Sequence, residues 1–179
     1  MNEIEIIKWI FGLMLSVGAI VLFILAYTLS YKYLIQENRC TAKVKGIIKR
    51  YTFASRGNGF FLPVVHYWVN SREYKVTGPE YTLYKTVTVR NSSPEDETEL
   101  DAESQVLTVR KTVHSSFAAY RNPINILYPL SSEIDVYYDP DNPKLAYVLR
   151  YCNKKWTFYA MFFSAVFLLV VDLFILFGL

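Results

Sequence analysis

The ionisable residue most out of place in this chain is Asp172, the one charge between Trp156 and Leu179. A carboxylate in an apolar helix is costly, so such residues face protein or water and often serve a function. If this run pairs antiparallel with the apolar run at the other end of the chain, Asp172 lies at the depth of Ser16. Gly12, Ser16 and Ala19 then form a small-residue stripe that lets a neighbouring helix approach. Asp172 is expected to hydrogen-bond within that stripe, to pair with a cation on a partner helix, or to reach ~10 Å to the interface. A proton or ion pathway would need more than two helices, and so an oligomer.

A second cluster of oxygens lies in Val136-Tyr137-Tyr138-Asp139-Pro140-Asp141-Asn142-Pro143. Calcium is the sharper reading of Asp139, Asp141 and Asn142, but six or more oxygens are normally needed and no bidentate carboxylate follows at the right place. A structural turn fits better. Asp139 can accept from amides two or three residues on, Pro140 presets φ, and Pro143 holds Asn142 extended. Glu95, Asp96, Glu97, Glu99, Asp101 and Glu103 fall between Asn91 and Ser104 with no Lys or Arg among them. Such a run repels itself and reads as a solvated loop, or as an arm that docks on a basic partner or on the domain's own basic surface. His66 and His114 lie in expected strands and share no metal-ligand spacing with Cys40 or Cys152. There is no phosphate loop, nucleophile elbow or obvious carboxylate pair. The expectation is a non-catalytic protein with no catalytic, cofactor or metal residues.

The elements that must carry these residues begin with two apolar runs. Trp9 to Leu29 holds 21 residues without a charge, and Trp156 to Leu179 holds 24 with one. Each, as a helix at ~1.5 Å per residue, covers the ~30 Å hydrocarbon core of a bilayer. The chain therefore divides into a short outer tail at 1–8, a transmembrane helix at 9–31, a soluble β domain with basic stalks at 32–155, and a second transmembrane helix at 156–179. Glu3 and Glu5 in the n-region, and the lack of a small-x-small site after the run, argue for a retained anchor rather than a cleaved signal. Orientation follows Lys and Arg near the membrane ends. Lys8 stands alone on the terminal side, whereas Lys32, Arg39, Lys43, Lys45, Lys49, Arg50, Lys144, Arg150, Lys154 and Lys155 stand on the domain side. This places the β domain in the cytoplasm and both termini outside. Two cysteines are too few for a disulfide scaffold. They are reduced in the cytoplasm, or bridged to each other if the domain faces outward; in that case Asn91-Ser92-Ser93 would be a glycosylation sequon.

The middle of the chain reads as β-structure. Tyr74 and Val76 alternate with Glu73, Lys75 and Thr77, and Leu83, Val87 and Val89 with Tyr84, Thr86 and Thr88. Similar period-two patterns cover 107–113 and 134–139. Residues 60–69 are apolar on both faces, as in a central strand, with Pro63 weakening the start. Asn70-Ser71 and Gly57-Asn58-Gly59 read as turns. Six or seven strands suggest a small antiparallel barrel or sandwich between the helices, a membrane α+β fold. Residues 115–130 fit neither period and would cover one end of the barrel or rest on the lipid interface. The alternation of basic and aliphatic residues from Arg39 to Arg50 lacks a stacking platform, so nucleic acid is not expected as a partner.

The hairpin residues Tyr67, Val69 and Tyr74, the Val136–Pro143 motif and the closing helix together resemble a mainly bacterial family of small two-helix membrane proteins, catalogued as a domain of unknown function. The resemblance spans nearly the whole chain and is most specific over residues 134–148. It implies a bacterial plasma membrane and carries no catalytic residues. The expected function is protein binding, as an accessory subunit, regulator or immunity-type inhibitor of a membrane-associated partner. The alternative is an oligomeric ion- or lipid-handling assembly that uses Asp172. The expected partners are the lipid bilayer and either another membrane protein or a second copy.

Overall fold

The computed structural model describes residues 3–53, 61–89, 97–101, 106–112 and 124–177. They form two compact units, one built from the two ends of the chain, up to Ile35 and from Asn153, the other running from Gln36 to Cys152.

Helix α1 (Glu3–Leu25) continues through a π-helical turn (Ala26–Ser30) into α2 (Lys32–Arg39), whose residues from Gln36 on belong to the second unit, and within the first unit α4 (Lys155–Phe177) runs back along α1. Both runs are long and apolar enough to cross a bilayer. Gly12, Ala19 and Ala26 are buried at seven-residue intervals, and so are Phe158, Ala165 and Asp172. A seven-residue period is that of a left-handed helix pair, and small residues at the seam let the backbones approach. Antiparallel direction is fixed by the contacts. Phe23 meets Phe162 with ring centroids 5.4 Å apart, and Tyr27 meets Phe158 at 5.6 Å. The large apolar side chains point away from the seam. Leu13 is 68% exposed and Phe174 73%. At the start of α4, Asn153 Oδ1 accepts from the Lys155 amide at 3.3 Å. The first helix was expected to end at residue 31. It continues instead to Arg39, because Lys32–Arg39 holds good helix formers and no Pro or Gly.

The second unit centres on a five-stranded sheet, order β3-β2-β1-β7-β8, antiparallel throughout and curled into a half-barrel. Its strands are β1 (Ala42–Tyr51), β2 (Pro63–Val69), β3 (Arg72–Thr77), β7 (Glu133–Tyr138) and β8 (Ala146–Val148). The basic stretch expected as a stalk is mostly the central strand, β1. Val44, Gly46 and Ile48 face inward, while Lys43, Lys45 and Lys49 face solvent. Opposite them, Val44 pairs with Val136 and Gly46 with Ile134. The strand bulges between Ile48 and Arg50. Ile48, Val65, Tyr67, Val136 and Val148 fill the interior. The curl brings the far strands together: a Cβ on Gly78, just past β3, would sit 3.0 Å from Val148 Cβ on β8. Asn70 and Ser71 join β2 to β3 with φ of 50° and 63°, the positive pair of a primed two-residue turn.

A second sheet has the order β4-β6-β5, with β4 (Leu83–Val89), β5 (Glu97–Asp101) and β6 (Val106–Thr112). Here the all-antiparallel expectation fails, because β4 and β6 are parallel. The cause is topological: β5 pairs antiparallel with β6 as its chain neighbour, which leaves β6 pointing the same way as β4. The expected acidic loop is also partly strand. In β5, Glu97, Glu99 and Asp101 are in backbone register with Arg110, Thr108 and Val106. Glu95, Asp96, Glu103, Gly57-Asn58-Gly59, the Asn91 sequon and His114 lie outside the described residues. In place of an irregular cover, Ile124–Leu127 forms a short helix, α3, whose Ile124 is buried with Leu62, Tyr81 and Leu107.

Gly46 is required by packing. A Cβ there would lie 2.5 Å from Val65 Cγ1 and 3.0 Å from Val136 Cγ2. Gly46→Ala should lower stability by about 1–3 kcal/mol, the usual cost of overpacking, whereas Ser71→Gly should raise it by about 1 kcal/mol by relieving a positive φ. Thermal melts of the whole chain in detergent check both signs.

Candidate functional site

Each unit holds one buried carboxylate among the described residues, Asp172 and Asp139. Gly12, Ser16 and Asp172 come together in the helix pair. Ser16 Oγ donates to Asp172 Oδ2 at 2.5 Å. The other oxygen, Oδ1, is buried without a hydrogen-bond partner and sits where a side chain on Gly12 would be, 2.9 Å from an ideal Cβ. Asp172 is 5% exposed, so it neither snorkels outward nor presents itself to a neighbour. Chemically this is a clasp between α1 and α4: a hydroxyl meets a carboxyl, and the absent side chain of Gly12 makes room for it.

Asp139 lies 2% exposed at the end of β7. Its Oδ1 accepts from the Asp141 amide at 3.0 Å, and its backbone carbonyl accepts from Asn142 at 3.1 Å. Asp139 and Leu145 close the turn through a 3.0 Å backbone bond. Pro140 sets the turn's second position and Pro143 ends it. Arg39 Nε stands 2.9 Å from Asp139 Oδ2. Three more side chains reach the same turn and strand. Gln36 Nε2 donates to Ala146 O at 3.0 Å, Cys40 Sγ to Leu145 O at 3.4 Å, and Tyr67 hydroxyl to Pro143 O. So Gln36, Arg39 and Cys40, at the start of the second unit, and Tyr67 of β2 all close on residues 139–146. Spacing alone did not reveal Gln36 and Arg39 as partners of this turn, since they lie a hundred residues away in sequence. The only local signal is that Gln36 is a polar residue on the inward face of an amphipathic helix.

The outward face of the five-stranded sheet carries paired charge. Asp135 takes Lys45 at 2.7 Å and Lys43 at 3.0 Å, and the hydrogen bonds from Lys45 and Lys43 hold its carboxyl below the usual range. His66 Nδ1 is 2.5 Å from Glu73 Oε1, and this bond lowers the Glu73 carboxyl. Trp68 stands 43% exposed on the same face. Cys40 and Cys152 are both buried and free. Burial, then the charge of Asp139, pushes the Cys40 thiol up to about 11, against the opposing pull of Arg39. Arg150 was expected only as an orientation charge. Its guanidinium lies over the Tyr81 ring, 5.1 Å from the centroid, and its Nε and Nη2 are buried without hydrogen-bond partners.

Compared with protein-family models, with curated proteins and with solved structures, the chain gives no match.

Two outcomes follow. Asp135 and Glu73 are depressed in the folded state, so they contribute stability that is complete above about pH 4 and is lost as pH falls through their lowered folded values. Acid unfolding of Asp135→Asn should therefore lack part of the wild-type loss below that pH. Cys40 should resist alkylation at pH 8 in the folded chain and react once the chain is denatured, because only the thiolate attacks. Mass spectrometry of the modified peptide reads this directly.

Proposed function

We propose that this chain is a two-pass membrane protein whose β unit lies on the cytoplasmic side, with both termini outside, and acts by binding a membrane-associated protein rather than by catalysis. The observation that carries the membrane part is the outward face of the helix pair. Trp9, Leu13, Phe163, Phe167 and Phe174 are each more than half exposed, while the buried seam is built on glycine and alanine. An apolar surface this large is stable only in a non-aqueous solvent or under a partner. The excess of Lys and Arg on the β side of both runs supports the orientation. The binding role is supported by a half-barrel whose interior is filled by its own aliphatic and tyrosine side chains, leaving its outward face, with Trp68 and its charge pairs, as the surface offered to others.

The alternative, an oligomeric ion- or lipid-handling assembly, draws on Asp172. Its bond to Ser16 favours the clasp instead. Asp172→Asn keeps a hydrogen-bonding side chain of the same size, so a binder should retain partner capture, whereas a transport assembly should lose activity.

Topology is tested with a cysteine placed where reagent can reach it, since the two native thiols are buried. Lys75→Cys lies on the exposed face of β3. It should stay unlabelled by an impermeant maleimide in intact cells and become labelled after lysis; labelling of intact cells overturns the orientation. Pull-down of the intact chain in mild detergent should recover a membrane-associated protein, and Trp68→Ala should weaken that recovery.

A further inference from the structure

We propose that the end of the helix pair that carries Glu5, Lys8 and Trp9 binds the headgroup of phosphatidylethanolamine, with Lys8 taking the phosphate and Glu5 the ammonium. The seam of small residues at Gly12, Ala19 and Ala26 steps back by seven to Glu5, which is long, charged and exposed. Small residues are what let α1 and α4 approach, so the close contact stops short of that step. A cavity of about 270 Å³ opens there, lined by Glu5, Lys8, Trp9, Leu176 and Phe177. Leu176 separates it from the clasp, since Leu176 Cδ2 lies 3.1 Å from where a Cβ on Gly12 would stand. Glu5, Lys8 and Trp9 are spaced i, i+3 and i+4, so they share one face of α1.

Lys8 is half-buried at the cavity wall and makes no hydrogen bond or ion pair among the described residues. The wall therefore offers an ammonium with three donors and, one helical turn away, a carboxylate with several acceptor positions. Glu5 can accept from a ligand in addition to its other contact, because a carboxylate takes more than one donor. A headgroup with a phosphate and a primary ammonium on one short linker makes a charge-assisted hydrogen bond to each. An anionic headgroup would suit Lys8 but be repelled by Glu5, and a choline headgroup has no N–H to donate. The apolar run of α1 begins at Trp9, so the cavity lies where hydrocarbon meets headgroup. Trp9 is 64% exposed and Phe177 83%. An indole settles at this level, and these side chains with Leu176 would receive the glycerol and first acyl carbons. The assignment rests on the membrane reading above, adds a ligand to it, and holds whichever side the termini face.

The test uses the intact chain in mild detergent, offered equal amounts of phosphatidylethanolamine, phosphatidylglycerol and phosphatidylcholine, with retained lipid read by native mass spectrometry. The wild type should retain phosphatidylethanolamine over both others; equal retention of the three overturns the inference. Lys8→Gln should lower phosphatidylethanolamine retention about fivefold, the ratio given by ~1 kcal/mol per cation near a headgroup. Glu5→Gln should abolish the preference over phosphatidylglycerol. Lys49→Gln removes a cation from the exposed face of the sheet and should change neither; a loss there equal to that in Lys8→Gln reduces the effect to net charge and overturns the site. Displacement of the lipid by an equal concentration of inorganic phosphate overturns the lipid assignment. Sedimentation with pure phosphatidylcholine vesicles separates the two readings. A chain that embeds there but shows no phosphatidylethanolamine preference overturns this inference alone; one that stays in the supernatant overturns both.

Discussion

A carboxylate removed from water must find its hydrogen bonds inside the protein, and each unit of this chain is organised around one such group. Asp172 takes the Ser16 hydroxyl and fills the space left by the missing side chain of Gly12. Asp139 accepts from the Asp141 amide at Oδ1, and its Oδ2 faces the Arg39 guanidinium as an ion pair. Leaving a buried polar group without its partner costs more than the bond contributes, so these positions constrain their neighbours strongly. Gly12 cannot gain a Cβ without moving Asp172, and the 139–146 turn cannot be redrawn without leaving Arg39 alone. The seven-residue seam of the helix pair and the closure of Gln36 and Arg39 on the turn are both consistent with these local demands.

The sequence made some of this legible and hid the rest for definable reasons. The apolar runs, the Asn70-Ser71 turn and the strands at 63–69, 72–77 and 133–138 show directly, because burial on one face writes a period into the residues. The Asp139 turn shows because Pro and Asp carry their own geometry. What the pattern cannot carry is partnership between distant segments. Nothing near residue 39 announces that its guanidinium meets Asp139. Nothing near Gly46 says that Val65 and Val136 flank it. The parallel pairing of β4 with β6 depends on where β5 inserts, and alternation is silent on strand direction. The acidic run misleads in a different way: charge density reads as a loop, yet Glu97–Asp101 is a strand.

The two units use opposite packing strategies. The helix pair buries its small residues and turns its large apolar ones outward, so its surroundings complete it. The five-stranded sheet does the reverse, with Tyr67, Ile48, Val65 and Val136 inside and lysines paired to Asp135 outside. One chain thus carries an apolar surface on its helix pair and a polar, charge-paired surface on its sheet.

The strand order has a consequence for how the chain is made. β1 is central: its first neighbour, β2, follows within a dozen residues, but its second, β7, is synthesised only after residue 132. From the end of β3 at Thr77 to the arrival of β7 at Glu133, the emerging polypeptide therefore holds a three-stranded fragment with one side of β1 open, its amides and carbonyls ready to pair with whatever extended segment is near. Outward lysines at 43, 45 and 49 make that open strand a poor template for a second nascent copy. Completion of the half-barrel waits for the ribosome to deliver the carboxyl-terminal third, so this is a fold closed late, by its last strands.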